Sequence, residues 1–546
     1  MSTLRALVAT PVLLALTPLE ARAADVPVAD VPGLLAAIAG AKPGDAIILA
    51  AGTYEVHQNK IACDAAGTAD ARIVVRAAEP GTAKIRFDAL EGFHVRGPFW
   101  EFDGLDIEGI CANDSDCEHA FHVTGAAEST HIHHCRVHGF NAQIKGNGEP
   151  IGPNNSFVWP DDVVIEYNEL FNEAPRNTSN PVTPIDIVGG QRWILRGNFI
   201  HDHAKGGGNN ISYAAFLKGH SKDGLIERNL VACELLHSGQ IRLGLSLGGG
   251  GTSPDAICED GACKPEHERG IVRNNLIVNC PADVGIYVNA GKDSKILNNT
   301  LYNTTGIDMR FPETTGVVHN NLLTGKIRDR DGALTVKMNN VTEAPLADFM
   351  AWFADPAAFD FTLKDGAKFV DLGLTLPEVT DDYCANDRND GLNDIGAIEF
   401  DGDGCVGGEP VEPGDTGGTT GDSGSTGDPG STGVPGTTGD PSTSGPGTSG
   451  PGTSGSDPTA TASGGPSMTT GVDPTGGPNT TGGGSSGGGQ SSGGPGTSDA
   501  SATDPTAGGD DSGGCACDSR DPSGGPFALA LALLLLAGGR RARSRA

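Results

Sequence analysis

Between residues 93 and 311 the chain writes one short phrase eight times: apolar, any, apolar, any, usually followed by Gly. The copies are Phe93–Arg96, Phe121–Thr124, Ala142–Lys145, Ile185–Val188, Ala215–Lys218, Leu245–Gly248, Ile286–Asn289 and Ile307–Arg310. A second phrase, apolar-x-x-Asn-x-apolar, follows each copy, as in Ile165-Glu166-Tyr167-Asn168-Glu169-Leu170. It recurs around Asn198, Asn229, Asn275, Asn299 and Asn321, with Leu105 and Cys135 in the Asn slot of earlier copies. From Leu105 the slots step by 30, 33, 30, 31, 46, 24 and 22 residues. Segments that alternate over a few residues and are rich in Val, Ile and Leu predict short strands rather than helices. Recurring at a period of a few tens of residues, they predict a solenoid whose coils stack as parallel strands about 4.8 Å apart.

The repeat sorts the residues. An inward Asn at a bend bonds to the backbone and to the Asn of the next coil, so the Asn slots are expected to be structural. In the first phrase the two "any" residues point out of the core, because strand side chains alternate. Stacking the copies predicts two exposed outer columns. One runs His94, His122, Gln143, Asp186, Phe216, Ser246, Tyr287, Asp308; the other runs Arg96, Thr124, Lys145, Val188, Lys218, Gly248, Asn289, Arg310. Such a mixture suits a sugar-binding groove, with Phe216 and Tyr287 stacking on pyranose rings. Lys145 and Arg310 would meet carboxylates or sulfates, and His122 and Asp186 would be further contacts.

Composition narrows the folded length. Residues 1–23 read as a secretory signal, with Arg5, an apolar run through Leu16 and Ala21-Arg22-Ala23 as a cleavage site. Residues 406–514 are Gly/Ser/Thr/Pro with twelve acids and no Lys or Arg, which predicts a disordered linker. One folded domain, 24–405, remains, and a monomer is expected. The formal charge of −32 argues against nucleic-acid binding. Twelve Cys behind a signal segment predict disulfides in an oxidising compartment. The expected pairs are Cys111–Cys117, Cys233–Cys280, Cys258–Cys263 and Cys384–Cys405, with Cys63 and Cys135 left open. At the end, Cys515-Ala516-Cys517, the apolar run Phe527–Ala537 and then Arg540, Arg541, Arg543 and Arg545 resemble the MYXO-CTERM tail of myxobacterial surface proteins. That resemblance implies processing by cell-envelope anchoring machinery and display at the cell surface.

The coil pattern resembles the right-handed parallel β-helix of pectate lyases and their relatives. Gly44-Asp45-Ala46-Ile47-Ile48-Leu49, Gly52-Thr53-Tyr54, Gly67-Thr68-Ala69, Ile73-Val74-Val75-Arg76-Ala77 and Pro80-Gly81 are similar to the opening of the chondroitinase B/alginate lyase family. Leu34-Leu35-Ala36-Ala37-Ile38 would be its N-terminal cap helix, and Asp394-Ile395-Gly396-Ala397-Ile398-Glu399 resembles a closing motif of surface β-helix proteins. The resemblance implies binding of an acidic polysaccharide and its cleavage by β-elimination. That reaction needs a neutralised carboxylate, a base for the C5 proton and an acid for the leaving oxygen.

Lys218, with Lys145 two coils away, is the expected base, and Arg242 on the following turn its partner. The family's acidic metal ligands are replaced here by Asn209-Asn210-Ile211-Ser212-Tyr213, so a Ca2+ site would have to be rebuilt from Asp186, Asp202 or Glu234. His131, His133, His134, His138, His201 and His203 form a second candidate metal group, although His138 and His201 fall two coils apart. A non-catalytic adhesion rod is the rival from another class. A glycoside hydrolase using Glu173 and Asp202–His203 is a third reading.

Overall fold

A computed structural model describes residues 24–151, 156–249, 252, 257–364, 368–388 and 391–400. The expected signal segment, the linker, the C-terminal tail and Cys405 lie outside these residues. Among the described residues the short strands assemble into three long parallel sheets of twelve, ten and ten strands. The first sheet runs from Asp25–Val28 to Leu334–Met338, the second from Gly52–Val56 to Leu322–Leu323, and the third from Ile61–Cys63 to Lys326–Arg330. Ten coils contribute one strand to each sheet, the first sheet has one more at each end, and the result is a right-handed parallel β-helix. The apolar positions of the repeat fill its interior: Phe93, Val95, Phe121, Val123, Ile185, Ile187, Leu245 and Leu247 are all buried.

The helix Val31–Ala39 starts where expected, with the Asp30 carboxylate accepting the Gly33 N–H at 2.8 Å. Its Leu34 and Ile38 join the core. At the other end a helix, Leu346–Trp352, and the hairpin Phe353–Asp355 with Asp360–Leu363 carry a second apolar cluster. Phe349, Trp352, Phe361 and Tyr383 there pack on Phe199, Leu230, Leu276 and Tyr302 of the second sheet's outer face. Ile395, Ala397 and Ile398 of the closing motif are buried in the same cluster.

Three of the expected disulfides form: Cys111–Cys117, Cys233–Cys280 and Cys258–Cys263. The fourth falls partly outside the described residues, and Cys63 and Cys135 are buried free thiols.

Coil register is set by the Asn slots. Asn168, Asn198, Asn229, Asn275, Asn299 and Asn321 stack in one column, which continues to Asn340. From Asn198 on, each Oδ1 accepts both the backbone N–H and the Nδ2–H of the preceding coil's Asn, at 2.9–3.1 Å, while Asn168 Oδ1 accepts the Cys135 N–H. Each Nδ2 also donates to a carbonyl of the preceding coil, as Asn229 does to Leu195 O at 2.9 Å. Asn alone fits, since the slot demands an acceptor on one side and a two-proton donor on the other.

Asn229→Asp, nearly isosteric, would turn an oxygen toward the Leu195, Glu227 and Asn275 acceptors that Nδ2 now serves. It should lower unfolding stability by about 3 kcal/mol, the cost of unsatisfied buried polar groups. A thermal or denaturant melt indistinguishable from the unsubstituted protein would show that the ladder does not hold the register.

Candidate functional site on the third sheet

Two of the three outer faces neutralise themselves. On the first sheet successive rungs of one ladder carry Arg76, Asp103, His133, Glu166, Arg196, Glu227 and Arg273. Opposite charges alternate, with Glu227 held between Arg196 and Arg273 at 2.6 Å each. The second sheet stacks Lys84, Asp106, Arg136 and Glu169 in the same way.

These ladders absorb most of the tempting histidines. His131 contacts Glu166 at 2.9 Å, His133 and His134 approach Asp103, and His138 contacts Glu173 at 2.5 Å. His138 and His201 sit on either side of the Phe171 ring, with centroids 5.0 and 4.6 Å from it, so they share no ion. His203 is buried against Leu243 O at 3.0 Å. Asp202, half of the carboxylate pair expected of a hydrolase, is buried and receives the N–H groups of Leu235, Leu236 and His237, ordering that loop.

The third sheet differs, and it also corrects the register read from the sequence. Lys145 pairs with His122 on one side and Asp186 on the other, so the repeat's copy is Ile144-Lys145-Gly146-Asn147, two residues later than expected. Gln143 leaves the column; its Nε2 donates to Phe171 O. The pattern misled because Gly146 occupies an apolar slot. A Cβ there would lie 2.6 Å from the Trp193 ring, which already fills the space. The corrected column reads His94, His122, Lys145, Asp186, Phe216, Ser246, Tyr287, Asp308 on consecutive rungs.

Its first half forms the candidate site. His94 and His122 stack at 5.0 Å between ring centres, and Lys145 Nζ donates to Asp186 Oδ1 at 2.7 Å. Glu91 and His119, paired across the two strands, lie three residues before His94 and His122. Glu91 Oε2 is 3.2 Å from His122 Nδ1 and 3.5 Å from Lys60 Nζ. His94 Nε2 approaches Thr124 Oγ1 at 3.1 Å, and Thr124 in turn donates to Glu149. Arg96, on the exposed edge, pairs with Asp64 at 2.8 Å. Alternation hid Glu91 and His119, since an odd spacing from His94 and His122 assigns them to the core side; their position three before each outward His was the available signal.

Environment sets the charges. Burial disfavours the Glu91 anion, but contact with His122 and the charges of His119 and Lys60 outweigh it and hold the carboxyl at about 2. Burial and the neighbouring His122 push His94 down to about 4. Burial, His122 and Lys145 push His119 down to about 3, so both rings are neutral at pH 7. Burial opposes charge on Asp186 too, yet Lys145 and Lys218 keep it below the usual carboxylate range. Burial raises Glu118, which accepts from Asn141 at 2.9 Å and lies beside Arg176 and Asp186.

From Lys145 onward the column is buried rather than exposed, Lys145 and Asp186 included. Lys218 is 1% exposed, with its Nζ over the Phe216 ring at 4.5 Å. Phe216, Ser246, Tyr287 and Asp308 are also buried. Residues returning across the strand ends cover this region: Glu266 accepts the Gly219 N–H at 2.8 Å, and Glu259 the Gly190 N–H at 2.7 Å.

Arg242, also 1% exposed, donates to Gly239 O and Cys233 O and faces His237. It is in register with Ser212, six residues before Lys218, or about 20 Å along the strand. The expected Lys218–Arg242 pair is therefore not formed. Arg310 is half-buried, bonded to Tyr287 Oη and Asp331. The rebuilt Ca2+ site does not fit either. Asp186 is matched by Lys145, Asp202 by backbone N–H groups, and Glu234 accepts from Gly239 in a loop on the Arg242 side.

No protein-family profile and no curated protein matches the chain. Among solved structures it is similar to pectate lyase Pel9A, at 15% identity and a TM-score of 0.43, covering 67% of this chain and 90% of that one. A rhamnogalacturonan lyase gives 16%, 0.40, 57% and 83% in the same order. A PL6 family polysaccharide lyase from Pseudopedobacter saltans gives 11%, 0.33, 64% and 100%. None of these likenesses assigns a role to a residue of this chain.

The Lys145–Asp186 pair carries a pH signature. A carboxyl whose folded pKa lies below its unfolded value adds stability that is complete above the unfolded value. That stability is lost as pH falls through the folded one. Acid unfolding of the unsubstituted protein should therefore steepen below about pH 4, the ordinary Asp range. Asp186→Asn should be less stable at pH 7 by about 3 kcal/mol, the cost of a broken buried pair, and should show less of this acid loss. Equal stability of the two proteins at pH 7 would contradict the pairing.

Proposed function

We propose that the chain is a secreted, surface-held β-helix that binds an acidic polysaccharide and cleaves it by β-elimination on the outer face of the third sheet. One observation carries the reading: His94, His122, Lys145 and Asp186 follow one another on four rungs of a face that, unlike the other two, does not cancel its charges in a continuous alternating ladder. Rungs about 4.8 Å apart match the scale of a sugar ring.

In this reading Lys145, oriented by Asp186, faces the uronate carboxylate, with Lys60 and Arg96 at the rim, and the base role expected of Lys218 passes to His119. The His119 imidazole takes the C5 proton. The electron pair forms the C4–C5 double bond, the C4–O bond breaks, and the leaving oxygen takes the proton back from the His119 imidazolium. The secretory and sorting segments at the chain ends support an extracellular setting, where such polymers occur.

A second reading is a binding module that holds the polymer without cutting it. Burial of Lys145 against Asp186 favours it, since a matched pair is suited to holding rather than reacting.

The purified full chain, incubated with polygalacturonate, alginate and chondroitin sulfate, should generate the ultraviolet absorbance of an unsaturated uronate on at least one. Lys145→Met and His119→Ala should each cut the rate by about 100-fold or more, within the range for a removed acid–base group, while Lys218→Met is spared. Binding without absorbance on every polymer would establish the module instead. Full activity in both site variants would remove the assignment.

A further inference from the structure

Two buried atoms of this face meet without a hydrogen bond. Glu91 Oε2 and His122 Nδ1 lie 3.2 Å apart, and neither has a hydrogen-bond partner, although Glu91 is only 8% exposed. The far side of His122 is fixed. Its Nε2 is 2.7 Å from Asn147 Oδ1, and Asn147 commits its own Nδ2 to Gly148 O at 2.8 Å. An amide oxygen therefore faces the ring, and Nε2 carries the proton that it donates.

In the neutral ring Nδ1 is then a lone pair directed at a carboxylate oxygen. The contact does not have the geometry of a hydrogen bond from Nδ1. Two electron-rich atoms this close in a buried setting repel unless a cation lies between them. Their spacing is also close to the roughly 3.3 Å between two ligands of a tetrahedral ion bound at about 2.0–2.1 Å. His94, stacked on His122, brings a third donor, and the ligand atoms of the three residues lie within 4.8 Å of one another.

We propose that Glu91, His94 and His122 bind a first-row divalent transition-metal ion, Zn2+ being the best match to two imidazoles and one carboxylate. Asn147 orients His122 from behind, as the partners of ligating histidines do. The Lys60 ammonium, 3.5 Å from Glu91 Oε2 on a largely exposed side chain, is the counter-charge that the ion displaces. Three protein donors leave a fourth position for an oxygen of water or of an anionic ligand. The site stands whether or not a polysaccharide is cleaved.

Two further groupings lie on the first sheet, Glu101 with His131 and His133, and Asp103 with His133 and His134. In them His131 is held by Glu166 at 2.9 Å and His133 Nδ1 by His134 Nδ1 at 2.8 Å, while His133 Nε2 faces Glu101 at 3.5 Å, so His133→Ala separates these groupings from the proposed site.

The chelator-stripped full chain, titrated with Zn2+ by calorimetry and with Co2+ by visible absorption, should take up one ion with a tetrahedral cobalt spectrum. Glu91→Gln and His122→Ala should each weaken binding by at least tenfold, and Asn147→Ala, which removes no ligand, by about tenfold. His133→Ala should leave it unchanged. Circular dichroism checks the fold of each variant, and Asn147→Ala keeps the test decisive should a ligand variant unfold. No uptake by the folded chain, unchanged affinity in all three site variants, or loss in His133→Ala alone would overturn the proposal.

Discussion

From Asn168 to Asn340 the surface of this β-helix depends on the Asn ladder within it. Between Asn198 and Asn321 each Asn accepts twice from the coil before and donates to the coil after, so one coil cannot slip against the next without stranding several buried polar groups. Slippage by one residue would also turn a whole strand's apolar set outward. With register fixed, a residue's neighbours across the sheets are decided, and so is the charge it meets about 4.8 Å away. The alternation of Glu166, Arg196, Glu227 and Arg273 follows from that register, while the earlier coils that carry His94 and His122 are held by the apolar core, with Leu105 and Cys135 in the slot.

The three faces use the same scaffold differently. On the first sheet, Glu227 between two arginines leaves no charge over for a ligand. The second sheet is partly roofed by the C-terminal aromatic cluster. The third keeps neutral imidazoles, an ionised carboxylate and a buried Lys–Asp pair side by side, with Lys60 and Arg96 at the edge. Groups in such mutual tension are more often found where a ligand binds than where a fold is merely held together.

Much of this was legible in the sequence. The period, the Asn slots and three disulfides follow from residue spacing, and the cap helix from the family resemblance. What failed did so for local reasons. Gly146 stands where an apolar residue was expected because Trp193 reaches in from another sheet, so the apolar pattern points two residues early, to Ala142. Alternation says that Lys218 points out of the core. It cannot say that other segments close over it, so a column that looked exposed is buried from Lys145 onward. Arg242 fails for the same reason, its guanidinium being claimed by Cys233 O and Gly239 O. Glu91 was hidden by its odd spacing from His94, and Asn340 extends the ladder one coil past the last copy that was recognised.

The central claim is that ligand chemistry belongs to the first half of the third sheet's outer face. Amide hydrogen exchange of the full chain, with and without oligosaccharides of polygalacturonate, alginate or chondroitin sulfate, tests it most directly. Slowed exchange confined to residues 91–96, 118–124, 142–149 and 183–188 is the expected result. Protection on the first or second sheet, or around residues 326–343, with those segments unchanged, would contradict it.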